Sequence, residues 1–208
     1  MKTLYALAVA AAATLGFAAS SQAATVTYTN PQPTPKIQLT VSDDPVNALQ
    51  FSLSTLVGAA DYLALGFNYA GSLTQSDLSL VSYTGGANTP ALSLFGSTSV
   101  GKVNNCGTGC NFNGAGSATL FDYIVRIGQP GAGPNLVSSV VFNIATLAGL
   151  SDLTQFAVRA TSTSNPGGSI KADLLPQPAP VPLPASGVLL LAGLAGLAVA
   201  RRRKSASA

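Results

Sequence analysis

The chain has 208 residues, only 8% of them charged, and contains no histidine, which excludes Ser–His–acid catalysis and any His-ligated metal centre. Its formal charge of +3 belongs to the ends: without Lys2 and Arg201, Arg202, Arg203 and Lys204, five cations (Lys36, Lys102, Arg126, Arg159, Lys171) face seven aspartates and no glutamate, leaving the body at −2. A basic balance confined to the termini is no sign of a nucleic-acid partner.

Met1-Lys2-Thr3 is a short basic start, followed by the apolar run Leu4–Ala19 and by Ser21-Gln22-Ala23, which puts small residues at the −3 and −1 positions of a cleavage site. This pattern predicts a signal peptide over residues 1–23, cut between Ala23 and Ala24; an uncleaved N-terminal anchor is the alternative. From there to Leu175, segments with period-two alternation recur. Val26 and Tyr28 alternate with threonines. Asn30-Pro31-Gln32-Pro33-Thr34-Pro35 breaks the pattern, because alternate prolines cannot join a ladder. Ile37, Leu39 and Val41 form the next set, and Asp43-Asp44-Pro45 reads as a turn. Leu49, Phe51 and Leu53 follow, and Leu63, Leu65, Phe67 and Tyr69 make the clearest strand. Leu78 and Leu80 run toward Tyr83, and Leu92 with Leu94 makes a short strand.

Residues 101–117 are a Gly/Asn-rich loop carrying Cys106 and Cys110. Beyond it, Phe121, Tyr123, Val125 and Ile127 alternate as one strand face, and Gly128–Pro134 is a turn-rich break. Val140, Phe142 and Ile144 come next. Leu147, Leu150 and Leu153 sit at helical spacing, which predicts a helical turn or two over Thr146–Leu153. Phe156 with Val158, then Ile170, Ala172 and Leu174, close residues 24–175 as one domain of about eight to ten short strands. The architecture expected is an all-β antiparallel β-sandwich, with no internal repeat.

Chemistry-bearing patterns are sparse. The two cysteines, behind an export signal, are expected to pair as a disulfide that pins a loop tip; a metal site would need ligands the composition does not supply. Paired carboxylates for hydrolysis could come only from Asp43, Asp44, Asp61, Asp77, Asp122, Asp152 and Asp173, most of them at turns or strand starts, so no enzyme is expected. Asp43-Asp44 is the best candidate for a Ca2+ contact, against the reading of a solvated turn. Tyr28, Tyr62, Tyr69, Tyr83 and Tyr123 are either a sugar-stacking set or, better, packing residues.

The last stretch has three parts. Residues 176–186 are a Pro-rich spacer ending in Val181-Pro182-Leu183-Pro184-Ala185-Ser186. Residues 187–200 are all Gly, Ala, Val or Leu, and the uncharged run from Leu183 to Ala200 is eighteen residues, at the short end of what spans a bilayer. Arg201, Arg202, Arg203 and Lys204 then act as a stop-transfer cluster that stays on the cytoplasmic side, with 201–208 as a basic tail. A transmembrane helix is expected over 187–200. Its Ala192/Gly196 pair is a generic small-residue spacing.

This tripartite tail resembles a PEP-CTERM sorting signal, in the variant that reads VPLPA, with Leu183 standing where the commoner form has Glu. The resemblance covers residues 181–204. It implies recognition and processing near the Pro motif by an exosortase at the inner membrane of a Gram-negative bacterium, and onward passage to the cell surface or extracellular matrix. It also implies a role in exopolysaccharide or biofilm. The expectation is therefore an exported structural or adhesive protein, with a carbohydrate-binding module or an unprocessed single-pass membrane protein as alternatives.

Overall fold

In a computed structural model, residues 23–43, 48–96, 101–114, 120–131, 133–145, 149–165 and 168–178 are described. The alternating segments become ten strands: β1 (Thr25–Thr29), β2 (Lys36–Ser42), β3 (Ala48–Val57), β4 (Asp61–Tyr69), β5 (Leu78–Gly85), β6 (Ser93–Phe95), β7 (Tyr123–Arg126), β8 (Val137–Ala145), β9 (Leu153–Thr161) and β10 (Ser169–Pro176). They belong to the first of two compact units, Met1–Gln177; the second, Pro178–Ala208, lies outside the described residues apart from Pro178.

The all-β expectation holds. All ten strands, however, join one antiparallel sheet in the order β5-β8-β3-β2-β1-β10-β9-β4-β7-β6, nearly closed into a barrel. What alternation suggests as two separate layers is two halves of one sheet. They are continuous through only two pairs, Tyr28↔Pro176 and Thr29↔Leu175. That join is therefore narrow, and packing between the halves holds the body together.

Both inner faces feed one core. Val41, Phe51 and Phe142 stand side by side across three strands of the first half. Phe51 stacks on Phe142 at 5.2 Å between ring centres and meets Phe67 of the second half at 5.8 Å and Phe156 at 6.4 Å. Rings at these offsets add packing energy beyond their buried area. The Pro-rich break becomes the β1–β2 loop. There the fully buried Asn30 accepts Ile37 N–H at 2.7 Å and donates to Pro35 O at 2.8 Å, so no polar atom of its amide is wasted.

Three local expectations change. Leu150–Asp152 is a single 3-10 turn that runs straight into β9, and residues 146–148 lie outside the described set. Phe121 does not share the face of Tyr123: β7 begins at Tyr123, and Phe121 sits in an isolated bridge with Val103, its ring in a second apolar cluster. Third, β4 is buried along both faces from Asp61 to Asn68, where alternation predicts one wet face. The cause is residues 101–114 of the Gly/Asn-rich loop, which fold back over the outside of the second half.

Candidate functional site

That loop is a flap with its own core. Cys106, Cys110, Phe112 and Phe121 pack with Leu63, Ala64, Ile124 and Ala157 on the outer face of β4, β7 and β9. Cys106 and Cys110 form a disulfide, Cα–Cα 5.0 Å, and both are buried. The bridge closes the loop tip as expected, with Thr108 and Gly109 exposed between the cysteines, and its own sulfurs sit inside the second cluster. Gly66 makes the cover possible. A Cβ there would lie 2.7 Å from the Phe121 ring, so only glycine lets that ring settle on the strand. Phe112 meets Phe121 edge-on at 5.0 Å.

Two cations tether the flap from opposite sides. Lys171 donates to Asn111 Oδ1 at 2.8 Å and Asn113 O at 2.6 Å. Burial, and then the positive charge of Arg159 paired opposite it, pull Lys171 below the usual lysine value. Arg126 donates through Nη1 to Cys106 O at 3.0 Å, through Nη2 to Thr108 O at 3.3 Å and through Nε to Gly128 O at 3.1 Å.

Arg126 also lines a cleft of about 550 Å³. This cleft opens at the seam where the barrel fails to close. The sheet ends at β5 and β6, and the segment joining them, with β6 itself, supplies Asn88, Thr89, Pro90, Ala91, Ser93 and Phe95 to one wall. The turn after β7 gives Ile127, Gly128 and Gln129; the start of β8 gives Asn135 and Val137; the flap gives Thr108. Backbone bonds from Gly86 N to Leu136 O (2.7 Å) and Asn88 N to Pro134 O (2.8 Å) fix the wall, and Asn88 Nδ2 donates to Asn135 Oδ1 at 2.8 Å. Among the described residues no carboxylate lines the cleft. Its volume falls within the ~300–1,000 Å³ common for small-molecule sites.

The aspartates are dispersed and mostly occupied in local structure. Asp77 accepts Thr74 N–H at 2.7 Å, and Asp152 accepts Gly149 N–H at 3.2 Å, each closing a 3-10 turn. Asp122 accepts Tyr69 N–H and pairs with Lys102 at 3.9 Å. Asp61 is fully buried. It accepts Val137 N–H at 2.9 Å, so a carboxylate of the second half clasps the first half beside the cleft. Burial raises its pKa, opposed by the bonds from Val137 and Thr161.

Asp43 is exposed and Asp44 lies outside the described residues; among those described, no group of three or more metal-ligating His, Cys, Asp or Glu side chains occurs. Tyr62 and Tyr123 are fully buried; Tyr28, Tyr69 and Tyr83 pack against the main core. Burial pushes the Tyr62 hydroxyl up to about 12, against a 2.7 Å hydrogen bond with Thr55. The tyrosines thus serve packing and do not line the cleft.

The predicted cleavage site falls at the edge of the described chain, with β1 starting at Thr25. Val181, Pro182, Leu183, Pro184, Ala185, the 187–200 segment and Arg201–Lys204 lie outside the described residues; among those described, no helix is long and apolar enough to cross a membrane. The cleft was not legible beforehand, because its residues sit in the Gly/Pro-rich connections that alternation reads only as breaks. Comparisons with family models, curated proteins and solved structures find nothing that matches this chain.

Proposed function

We propose that this chain is an exported bacterial surface or matrix protein, delivered by its N-terminal leader and held at the inner membrane by its tail until an exosortase-type enzyme processes it. The tail carries this reading: Val181–Ala185, an apolar run and Arg201–Lys204 in that order. Two features support it. The paired, buried cysteines suit an oxidising compartment. The first strand begins at Thr25, so removal of residues 1–23 would leave the sheet whole. We read the body mechanically as a β-sandwich, two inner faces pressed on one core, suited to a structural or adhesive part. No catalytic role is assigned to its aspartates, which brace turns, a clasp and a loop. Mass spectrometry of the C-terminus on surface-fractionated protein tests the reading: loss of everything beyond the Pro motif is expected, and an intact Arg201–Lys204 tail there would overturn it.

A second reading, a saccharide-binding body, is favoured by the seam cleft, whose lining of amides and hydroxyls around Phe95 has the chemistry of a sugar site.

A further inference from the structure

The geometry points to an acidic saccharide, one bearing a sugar carboxylate such as a uronate, as the ligand of the seam cleft, with Arg126 as the carboxylate contact. The inference rests on the saccharide-binding reading and sharpens it. A guanidinium carries five N–H donors in a planar fork suited to a carboxylate. Three nitrogens of Arg126 each spend a bond on a carbonyl: Gly128, Cys106 and Thr108. Those acceptors are neutral, so the charge itself is not compensated. Among the described residues no carboxylate pairs with Arg126, and none lines the cleft. The carboxylate that bonds Val137, that of Asp61, is fully buried and forms no part of the lining. A half-buried cation already fixed in place by three bonds is a preorganised anion contact: little side-chain freedom is left to lose when a ligand arrives.

The rest of the lining excludes a bare anion as the natural occupant. Asn88 and Asn135 bond each other within the lining, and the exposed amide of Gln129 also belongs to it. Amides both donate and accept, as ring hydroxyls do. Phe95 adds a partly exposed aromatic surface, which suits the C–H face of a sugar ring. Phosphate or a carboxylate alone would use the guanidinium and leave these groups idle.

The test is titration of the purified full chain, in mild detergent, with a galacturonic acid tetrasaccharide, its fully methyl-esterified form, and an aspartate-rich peptide, read by calorimetry. The free acid is expected to bind saturably. Esterification, which removes the charge and keeps every hydroxyl, is expected to weaken binding about tenfold or more, the size of a charge-assisted hydrogen bond. Binding of the acid should also weaken with added salt. Arg126→Lys keeps the charge but disturbs the flap, so Gln129→Ala, which removes only an exposed amide, is the second variant; a several-fold loss is expected. Equal binding of ester and acid would sink the acidic specificity and leave the saccharide reading standing. Binding of neither would sink both. Tighter binding of the peptide, or no effect of Gln129→Ala on the acid, would overturn the saccharide assignment to this cleft.

Discussion

The two halves of the sheet share a core but differ on their outer faces. In the first half, β2, β3 and β8 show Gln38, Thr40, Gln50, Ser52 and Asn143 outward, partly exposed and in register across strands, with Gln50 Nε2 donating to Asn143 Oδ1 at 3.2 Å. This is the ordinary one-sided strand, apolar inward and polar outward. In the second half the corresponding faces of β4, β7 and β9 carry Leu63, Gly66, Ile124 and Ala157, and a disulfide-closed flap covers them. The difference teaches that the flap is a second, smaller core built on one side of the first, and its contribution should be separable from that of the barrel.

Core truncations should separate the two most strongly. Phe51→Ala removes the ring that touches Phe67, Phe142 and Phe156 and is expected to cost ~3–5 kcal/mol of global stability in urea unfolding. Phe121→Ala deletes the same chemistry from the outer cluster. Its loss should appear first as opening of the flap, with faster amide exchange at Val103 and Phe112 while β2, β3 and β8 stay protected. Uniform loss of protection over both halves would show that flap and barrel unfold as one.

Gly66→Ala probes the contact itself. The added methyl meets the Phe121 ring at 2.7 Å, and overpacking of this kind costs ~1–3 kcal/mol. In a Phe121→Ala background the clash has no partner, so the same substitution should be nearly neutral. A double-mutant cycle showing additivity would mean that the ring does not rest on Gly66. Reduction of Cys106–Cys110 comes next. The loop it closes is short, so the chain-entropy estimate is about 2 kcal/mol, and the loss should fall on the flap, read again by exchange.

Alternation made the main core readable: Leu39, Phe51, Phe67, Phe142 and Phe156 all point inward where period two puts them. It was blind to the flap for a physical reason. Ala64, Ile124 and Ala157 occupy the outward register, Leu63 is turned outward against its period by the register shift between Tyr62 and Ala64, and only the fold-back of residues 101–114, which are rich in Gly and Asn and have no period of their own, explains why such positions are apolar. The cysteine pairing was legible from compartment and spacing, but its burial was not, because that depends on what the loop lands on. The cleft was hidden for a related reason: Asn88, Arg126 and Gln129 converge only because the first and last strands of the sheet fail to meet, which is a property of topology.

Across the seam, Asp61 gives a pH-dependent comparison of smaller size, since two hydrogen bonds oppose the burial that raises its pKa. The folded pKa lies above the ordinary 3.8, so the native state holds the proton more tightly than the unfolded chain. The Asp61 contribution to stability is therefore fullest below 3.8 and falls as pH rises through the raised folded value. Thermal melts over that window should show this downward trend in the wild type, and Asp61→Asn should flatten it. An unchanged slope in the variant would assign the trend to another group.

The smallest effect is expected on the open face. Ser52 lies between Thr40 and Val141 on β3, with its side chain on the outer side of the first half. Ser52→Ala removes one hydroxyl from a solvated face and should shift stability by no more than ~0.5 kcal/mol. Ser52→Asp places a charge there and should cost little more, because the carboxylate keeps its water. If the face were covered as the second half is, a buried unpaired charge would be strongly destabilising, well beyond the cost of the alanine variant. The ratio of the two costs, measured in the same denaturant, thus reports whether this polar face meets solvent or a cover, and a large ratio would erase the asymmetry between the halves.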